Sequence, residues 1–76
     1  MGDEVREALE EAARLYEAAA EELDRAAHHC RTAAGHFRDR EIPRAAAHAW
    51  AAFGHVTTTE RLLRDQAVVH ASKSQA

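Results

Sequence analysis

The feature that most constrains this chain is an apolar repeat that runs uninterrupted through its first half. From Val5 to Phe37, an apolar side chain recurs at intervals that alternate between four and three residues. This spacing places the whole series along one side of an α-helix and is typical of a coiled coil or a long bundle helix. With Asp3 as a helix-capping residue, it predicts a first helix over about residues 3–38.

Within this repeat, small and large side chains alternate. Four positions of the repeat, spaced seven residues apart, are all alanine, and the positions between them are mostly larger residues. The two series are Ala12, Ala19, Ala26 and Ala33, and Leu9, Tyr16, Leu23, Cys30 and Phe37. A small residue at every seventh position lets a neighbouring backbone approach closely, while larger residues fill the layers between. We therefore predict that both series pack against a second helix.

The stretch Arg38–Pro43 separates this repeat from a second one. Arg38 to Glu41 are all charged and offer no apolar side, and Pro43 is the only proline in the chain. Proline suits the first turn of a helix and disfavours helix in the preceding residue. The sequence therefore predicts a turn over residues 38–43 and a second helix over about residues 43–72. The predicted contact side of that second arm is Ile42, Ala46, Ala49, Phe53, Val56, Leu63, Ala67 and His70.

Residues 54–59 leave one question of architecture open. Gly54 and the run Thr57-Thr58-Thr59 are poor helix formers, and Thr57 with Glu60 has the spacing of a capping box at a helix start. A kink or break there would give three helices. We favour a continuous or mildly kinked helix, because the apolar repeat resumes at Leu63 without an intervening loop.

The 76 residues form a single domain, residues 1–76, whose apolar content is mostly alanine. Alanine contributes helix propensity but little buried area, and a single cysteine cannot form an internal disulfide. We therefore expect an all-α, antiparallel helical hairpin that dimerises into a four-helix bundle. The residues expected between two copies are Trp50, Phe53, Leu15, Leu62 and Val69.

The histidines and Cys30 are the residues that most suggest a metal centre. A metal-binding pair on one helix needs ligands three or four residues apart, and no two of the six histidines have that spacing. Cys30 is expected in the helix contact, as a small apolar residue. The sequence also shows no nucleophile–base pair and no Gly-rich phosphate loop, so we expect no enzyme, no metal site and no cofactor.

Glu60 is the one acidic residue on the predicted contact side. We expect it to point outward and pair with Arg64, four residues along the same helix. The alternative is a carboxylate buried beside the hydroxyl group of Tyr16.

Charge is distributed unevenly along the predicted hairpin. Residues 3–22 hold eight acidic residues and two arginines, a net charge of −6, and residues 24–44 hold three acidic residues and five arginines, a net charge of +2. The open end is therefore acidic and the bend basic. A basic bend offers a nucleic-acid contact, for which the candidate residues are Arg31, Arg38, Arg40 and Arg44.

The first residues of the sequence are acidic and lack the apolar core of a signal peptide, and the longest apolar run, 49–53, is too short to cross a bilayer. We therefore expect a cytoplasmic protein without membrane contact.

The heptad pattern over residues 5–70 resembles Rop-like helical hairpins, which dimerise into antiparallel four-helix bundles. Residues 28–50, HHCRTAAGHFRDREIPRAAAHAW, are also similar to short helical proteins of high-GC actinobacteria, which implies no particular activity. Arg40 stands where such a helix end usually prefers glycine. We expect a small, non-enzymatic protein-interaction or regulatory module that self-associates and binds an unidentified protein partner. The alternative is a nucleic-acid-binding bundle that uses the basic bend.

Overall fold

The computed structural model describes residues 2–73 and confirms an all-α helical hairpin. Helix α1 spans Gly2–Arg38 and helix α2 spans Ile42–Lys73, and residues 39–41 connect them. The two helices run antiparallel and contact each other along their length. Their limits lie within one residue of those that the sequence indicates.

Helix α2 is continuous through the threonine run, so the break considered at residues 54–59 is absent. Each threonine hydroxyl donates a hydrogen bond to the carbonyl oxygen four residues earlier. Thr57 donates to Phe53 over 3.0 Å, Thr58 to Gly54 over 3.1 Å and Thr59 to His55 over 3.0 Å. These bonds satisfy the hydroxyl groups within the helix, and the threonines therefore do not need to leave it.

The bend closes α1 with a Schellman motif. The backbone N–H of Glu41 donates to the carbonyl of His36 over 2.8 Å, and that of Arg40 donates to Phe37 over 3.1 Å. Arg40 has a φ of 60°, the left-handed conformation that glycine normally supplies at this position. The expectation that this position suits glycine is thus confirmed in its geometry, although the residue is arginine.

Alanine forms the contact between the two helices. The buried apolar residues of the described chain are all alanine: Ala19, Ala26, Ala33, Ala45 and Ala52. Thr59 is the one polar residue buried with them in residues 2–73, and it follows Ala45 and Ala52 at the same seven-residue spacing. The predicted role of the alanine series of α1 is therefore confirmed.

Contrary to the prediction, the larger series is not buried between the helices. Leu9, Tyr16, Leu23 and Phe37 are exposed, as is Cys30, and the same holds for Ile42, Phe53, Val56 and Leu63 of α2. The alanine column of α1 is flanked on one side by these larger residues and on the other by Ala8, Leu15, Glu22, His29 and His36. Helix α2 packs on the second flank, because small and slender polar side chains permit the closer approach. His70 belongs to the predicted series too, but its side chain lies outside the described part.

The hairpin is a flat layer that is one helix thick. Its dimensions are 58 × 21 × 11 Å and its radius of gyration is 17.4 Å. A compact domain of this length would have a radius of gyration of about 11 Å. Two helices in one layer cover only one side of each other, so both broad faces of the layer remain open.

Replacing Arg40 by glycine should stabilise the hairpin, because glycine adopts the left-handed conformation without the steric cost of a Cβ atom. We expect a gain of about 0.5–1 kcal/mol in the free energy of unfolding, to be measured by urea denaturation followed by circular dichroism. Arg40→Ala is the matched control, since it removes the same charge but retains the Cβ atom. Equal effects of the two substitutions would contradict the prediction.

Candidate functional site

One broad face of the hairpin carries large, exposed apolar side chains from both helices. It carries the large side chains of α1 and α2 that do not enter the helix contact, and they lie on the same side of the layer because the two helices are antiparallel. In the part of the chain that the structure describes, these exposed residues are Val5, Leu9, Tyr16, Leu23, Phe37, Ile42, Trp50, Phe53, Val56 and Leu63. We call this surface the apolar face. A soluble monomer rarely leaves so continuous a patch in water.

Near the bend, the apolar face forms a groove. Phe37, Ala46, Ala49, Trp50 and Phe53 line an open groove of about 410 Å³. The rings of Trp50 and Phe53 meet edge to face with their centroids 6.1 Å apart. Because Trp50 is 74% exposed, this aromatic pair presents most of its surface to solvent.

The five residues predicted to lie between two copies fall on different parts of the hairpin. Trp50 and Phe53 lie on the apolar face, as their exposure shows. Leu15 and Leu62 are half-buried and level with each other in the contact between α1 and α2. Val69 lines a second groove together with Leu15. From the sequence we expected Leu15, Leu62 and Val69 on the outer surface. That expectation assumed that α2 packs on the Leu9 side of the alanine column, whereas it packs on the Leu15 side.

A row of histidines lies along the helix contact, on the flank away from the apolar face. It alternates between the two helices in the order His36, His48, His29 and His55, with Glu41 at the bend end and Glu22 at the other. We call these six residues the histidine ladder. Over this span the ladder is about 20 Å long, given the rise of 1.5 Å per helical residue.

Each step of the ladder is a close contact between two side chains. At its centre, Nδ1 of His29 and Nδ1 of His48 are 2.9 Å apart, within hydrogen-bond distance. The ring of His55 stacks on His29 with centroids 5.4 Å apart, and that of His36 stacks on His48 at 5.5 Å.

A carboxylate stands at each end. Nδ1 of His55 lies 2.5 Å from Oε2 of Glu22, and Nδ1 of His36 lies 3.8 Å from Oε2 of Glu41. Arginines share both carboxylates, since Arg25 lies 3.2 Å from Glu22 and Arg44 lies 2.9 Å from Glu41.

Two side chains of the ladder have shifted pKa values. The hydrogen bond from His55 lowers the pKa of Glu22, more than burial raises it, and the charges of His55 and Arg25 act in the same direction. Burial lowers the pKa of His29, and the neighbouring imidazoles of His48, His55 and His28 lower it further. The centre of the ladder therefore resists a positive charge, and its Glu22 end favours a negative one.

The ladder does not form a metal centre of the usual kind. Among residues 2–73, no three His, Cys, Asp or Glu side chains converge on a point where a metal ion would bind. The stacked rings cannot direct their nitrogen lone pairs at one ion, since those lone pairs lie in the ring planes. Cys30 is exposed and is not part of the ladder.

The signal for the ladder is present in the sequence, but it is not the spacing normally sought. A glutamate followed by histidines after seven and fourteen residues occurs twice: Glu22, His29 and His36 lie in α1, and Glu41, just before α2, is followed by His48 and His55 in α2. A seven-residue spacing places each triplet along one line. In an antiparallel pair the two lines interleave, so each glutamate meets the last histidine of the other triplet.

The arginines expected to contact nucleic acid are exposed around the bend. Arg31, Arg38 and Arg40 lie on its outer surface, and Arg44 donates a hydrogen bond to Glu41 over 2.9 Å. Glu60 forms the predicted surface pair with Arg64, with 2.7 Å between Oε2 and Nη2. Its burial beside Tyr16 is therefore excluded.

No helix within the described residues is both long enough and apolar enough to cross a membrane. No protein-family model, curated protein or solved structure matches this chain. The physical properties of its two faces therefore carry the functional argument.

Replacing His55 by leucine, which cannot donate a hydrogen bond, should raise the pKa of Glu22 toward the ordinary glutamate value, because the hydrogen bond from His55 is the largest of the effects that lower it. Carbon-detected NMR titration of the Glu22 carboxyl group would measure this shift. Since the pKa is lowered in the folded chain, the associated stability is present above the ordinary glutamate pKa and is lost as the pH falls through the lower, folded value. His28→Gln is the control, and it should leave Glu22 unchanged.

Proposed function

We propose that this protein is a small, non-enzymatic interaction module that works as a homodimer, in which the apolar faces of two hairpins close a four-helix bundle. The observation that carries the proposal is the exposed apolar face, which extends over both helices. Pairing two layers through such faces is the simplest way to bury them, and it gives each helix a second neighbour.

The exposed area of the chain supports a second copy as the occupant of the face. A compact monomer of this mass, 8.4 kDa, exposes about 4600 Å². This chain exposes 6143 Å². The excess of about 1500 Å² exceeds the roughly 800 Å² that each partner buries in a typical stable interface. A dimer therefore has enough surface available, and the buried alanines alone provide only a thin core for a monomer.

The charge distribution favours an antiparallel arrangement of the two copies. Residues 3–22 carry a net charge of −6, while residues 24–44, around the bend, carry +2. In an antiparallel dimer the acidic open end of each hairpin lies over the basic bend of its partner. A parallel dimer would instead place like charges together at both ends. This arrangement gives the exposed arginines of the bend a partner without invoking nucleic acid.

Phe53→Glu should dissociate the dimer, because it places a charge in the centre of the apolar contact. Val69→Glu is the control: Val69 is also an exposed apolar residue of α2, 47% against 63% for Phe53, but it lines the groove with Leu15 on the flank away from the apolar face. Sedimentation equilibrium over a concentration series would measure the dissociation constant, with helix content followed by circular dichroism.

Trp50→Ala is expected to weaken the dimer by about 2–4 kcal/mol, the range of a central aromatic contact, with little loss of helix. A wild-type protein that stays monomeric at high micromolar concentration would contradict the proposal. Equal weakening by Phe53→Glu and Val69→Glu would show that the contact lies elsewhere.

The native Cys30 provides a direct test of the antiparallel orientation. It is exposed and lies ten residues from the midpoint of α1, or about 15 Å along the axis. Spin labels on the two cysteines should therefore be about 30 Å apart along the axis of an antiparallel dimer. In a parallel dimer they would lie side by side, so a short distance, or a disulfide that forms readily between copies, would exclude the antiparallel arrangement.

A further inference from the structure

We propose that the histidine ladder makes the pairing of α1 and α2 dependent on pH, so that the hairpin is closed at neutral pH and opens in mild acid. The proposal rests on the arrangement of four imidazoles between the two helices and not on self-association. It concerns the flank opposite the apolar face.

The central pair limits how many protons the ladder can hold. The two Nδ1 atoms of His29 and His48, 2.9 Å apart, form a hydrogen bond only if one donates and the other accepts. Two neutral rings, or one neutral and one charged ring, meet this requirement. When both rings are protonated, two N–H groups face each other and the hydrogen bond is lost. The pair therefore accommodates one positive charge but not two.

The stacked outer rings add to this limit. His55 lies over His29 and His36 lies over His48, so a charge on an outer ring faces the inner pair at 5.4–5.5 Å between centroids. Four imidazolium ions along this line would have only the carboxylates of Glu22 and Glu41 to balance them. Those carboxylates are already shared with Arg25 and Arg44, and exposed His28 contributes another titratable ring beside His29. The fully protonated ladder thus has unbalanced positive charge between the helices.

The lowered pKa of His29 gives the direction of the effect. The folded hairpin binds a proton at this ring less tightly than the unfolded chain does. The corresponding stability is therefore complete above about pH 6.5, the ordinary imidazole value, and is lost as the pH falls toward the folded pKa. The two helices contact each other mainly through alanine and have few other interactions. Positive charge on the ladder therefore weakens the main contact of the fold.

The test compares unfolding of the full chain at about pH 7.5 and about pH 5.5, on either side of the ordinary imidazole pKa, at one protein concentration. The wild type should lose about tenfold in its folded-to-unfolded ratio per pH unit for each proton that the hairpin excludes. The double variant His29→Gln, His48→Gln replaces the inner rings by neutral groups that can still hydrogen-bond, and it should lose at least about tenfold less. His28→Gln is the control and should keep most of the wild-type pH dependence, because His28 lies outside the ladder and has the smallest of the effects that lower the pKa of His29.

Equal wild-type stability at the two pH values would overturn the proposal. So would a His28→Gln variant whose stability depends on pH as little as that of the double variant. If the double variant does not fold, NMR titration of the wild-type chain decides: His29 must titrate below the ordinary imidazole pKa of about 6.5, with helix pairing lost in the same pH range. Titration of His29 at or above that value would overturn the proposal. The same two-pH comparison is repeated with the Phe53→Glu variant, in which the proposed dimer is dissociated. A pH dependence that persists in this variant belongs to the hairpin and not to the dimer.

Discussion

The close approach of two helices through alanine is the constraint on which the rest of the structure depends. Ala26 and Ala33 lie level with Ala52 and Ala45, Ala19 lies level with Thr59, and Ala45 is fully inaccessible to solvent. Such a contact gains stability from many short van der Waals contacts and from the high helix propensity of alanine, not from burying large side chains. It also leaves too little space between the helices for tyrosine or phenylalanine. Most of the large apolar residues lie on one face, and the opposite flank carries the histidine ladder together with Leu15, Leu62 and Val69.

The main architecture follows from the sequence. The repeat from Val5 to Phe37, the charged residues before Pro43 and the resumption at Leu63 are local signals, and each matches the structure. The left-handed residue at position 40 is likewise a local requirement of the way the helix ends. These features depend on backbone conformation within a few residues, which a single sequence records directly.

Which flank of α1 contacts α2 depends on tertiary packing. The hydrophobic pattern alone predicts the flank with the larger apolar residues, which is not the one observed. The alanine column of α1 has a column of mostly larger side chains on each side, so α2 has two flanks on which to pack. Hydrophobicity favours the flank with Leu9, Tyr16 and Leu23, whereas close approach favours the flank with Ala8, Glu22 and His29. The histidine ladder, too, depends on tertiary packing and is not predicted by spacing within one helix. Its residues come together only across two helices, and a search within one helix finds no pair at three or four residues.

The thinness of the hairpin connects its two faces. The layer measures 11 Å in its shortest dimension, so the apolar face and the histidine ladder are two sides of one contact between α1 and α2. A ligand that binds only the closed hairpin and a proton that favours the open one act on a single equilibrium. By thermodynamic linkage, protonation weakens the binding of that ligand by the same free energy by which the bound ligand weakens protonation. A second copy bound to the apolar face would therefore make the imidazoles on the far side harder to protonate, although it touches none of them.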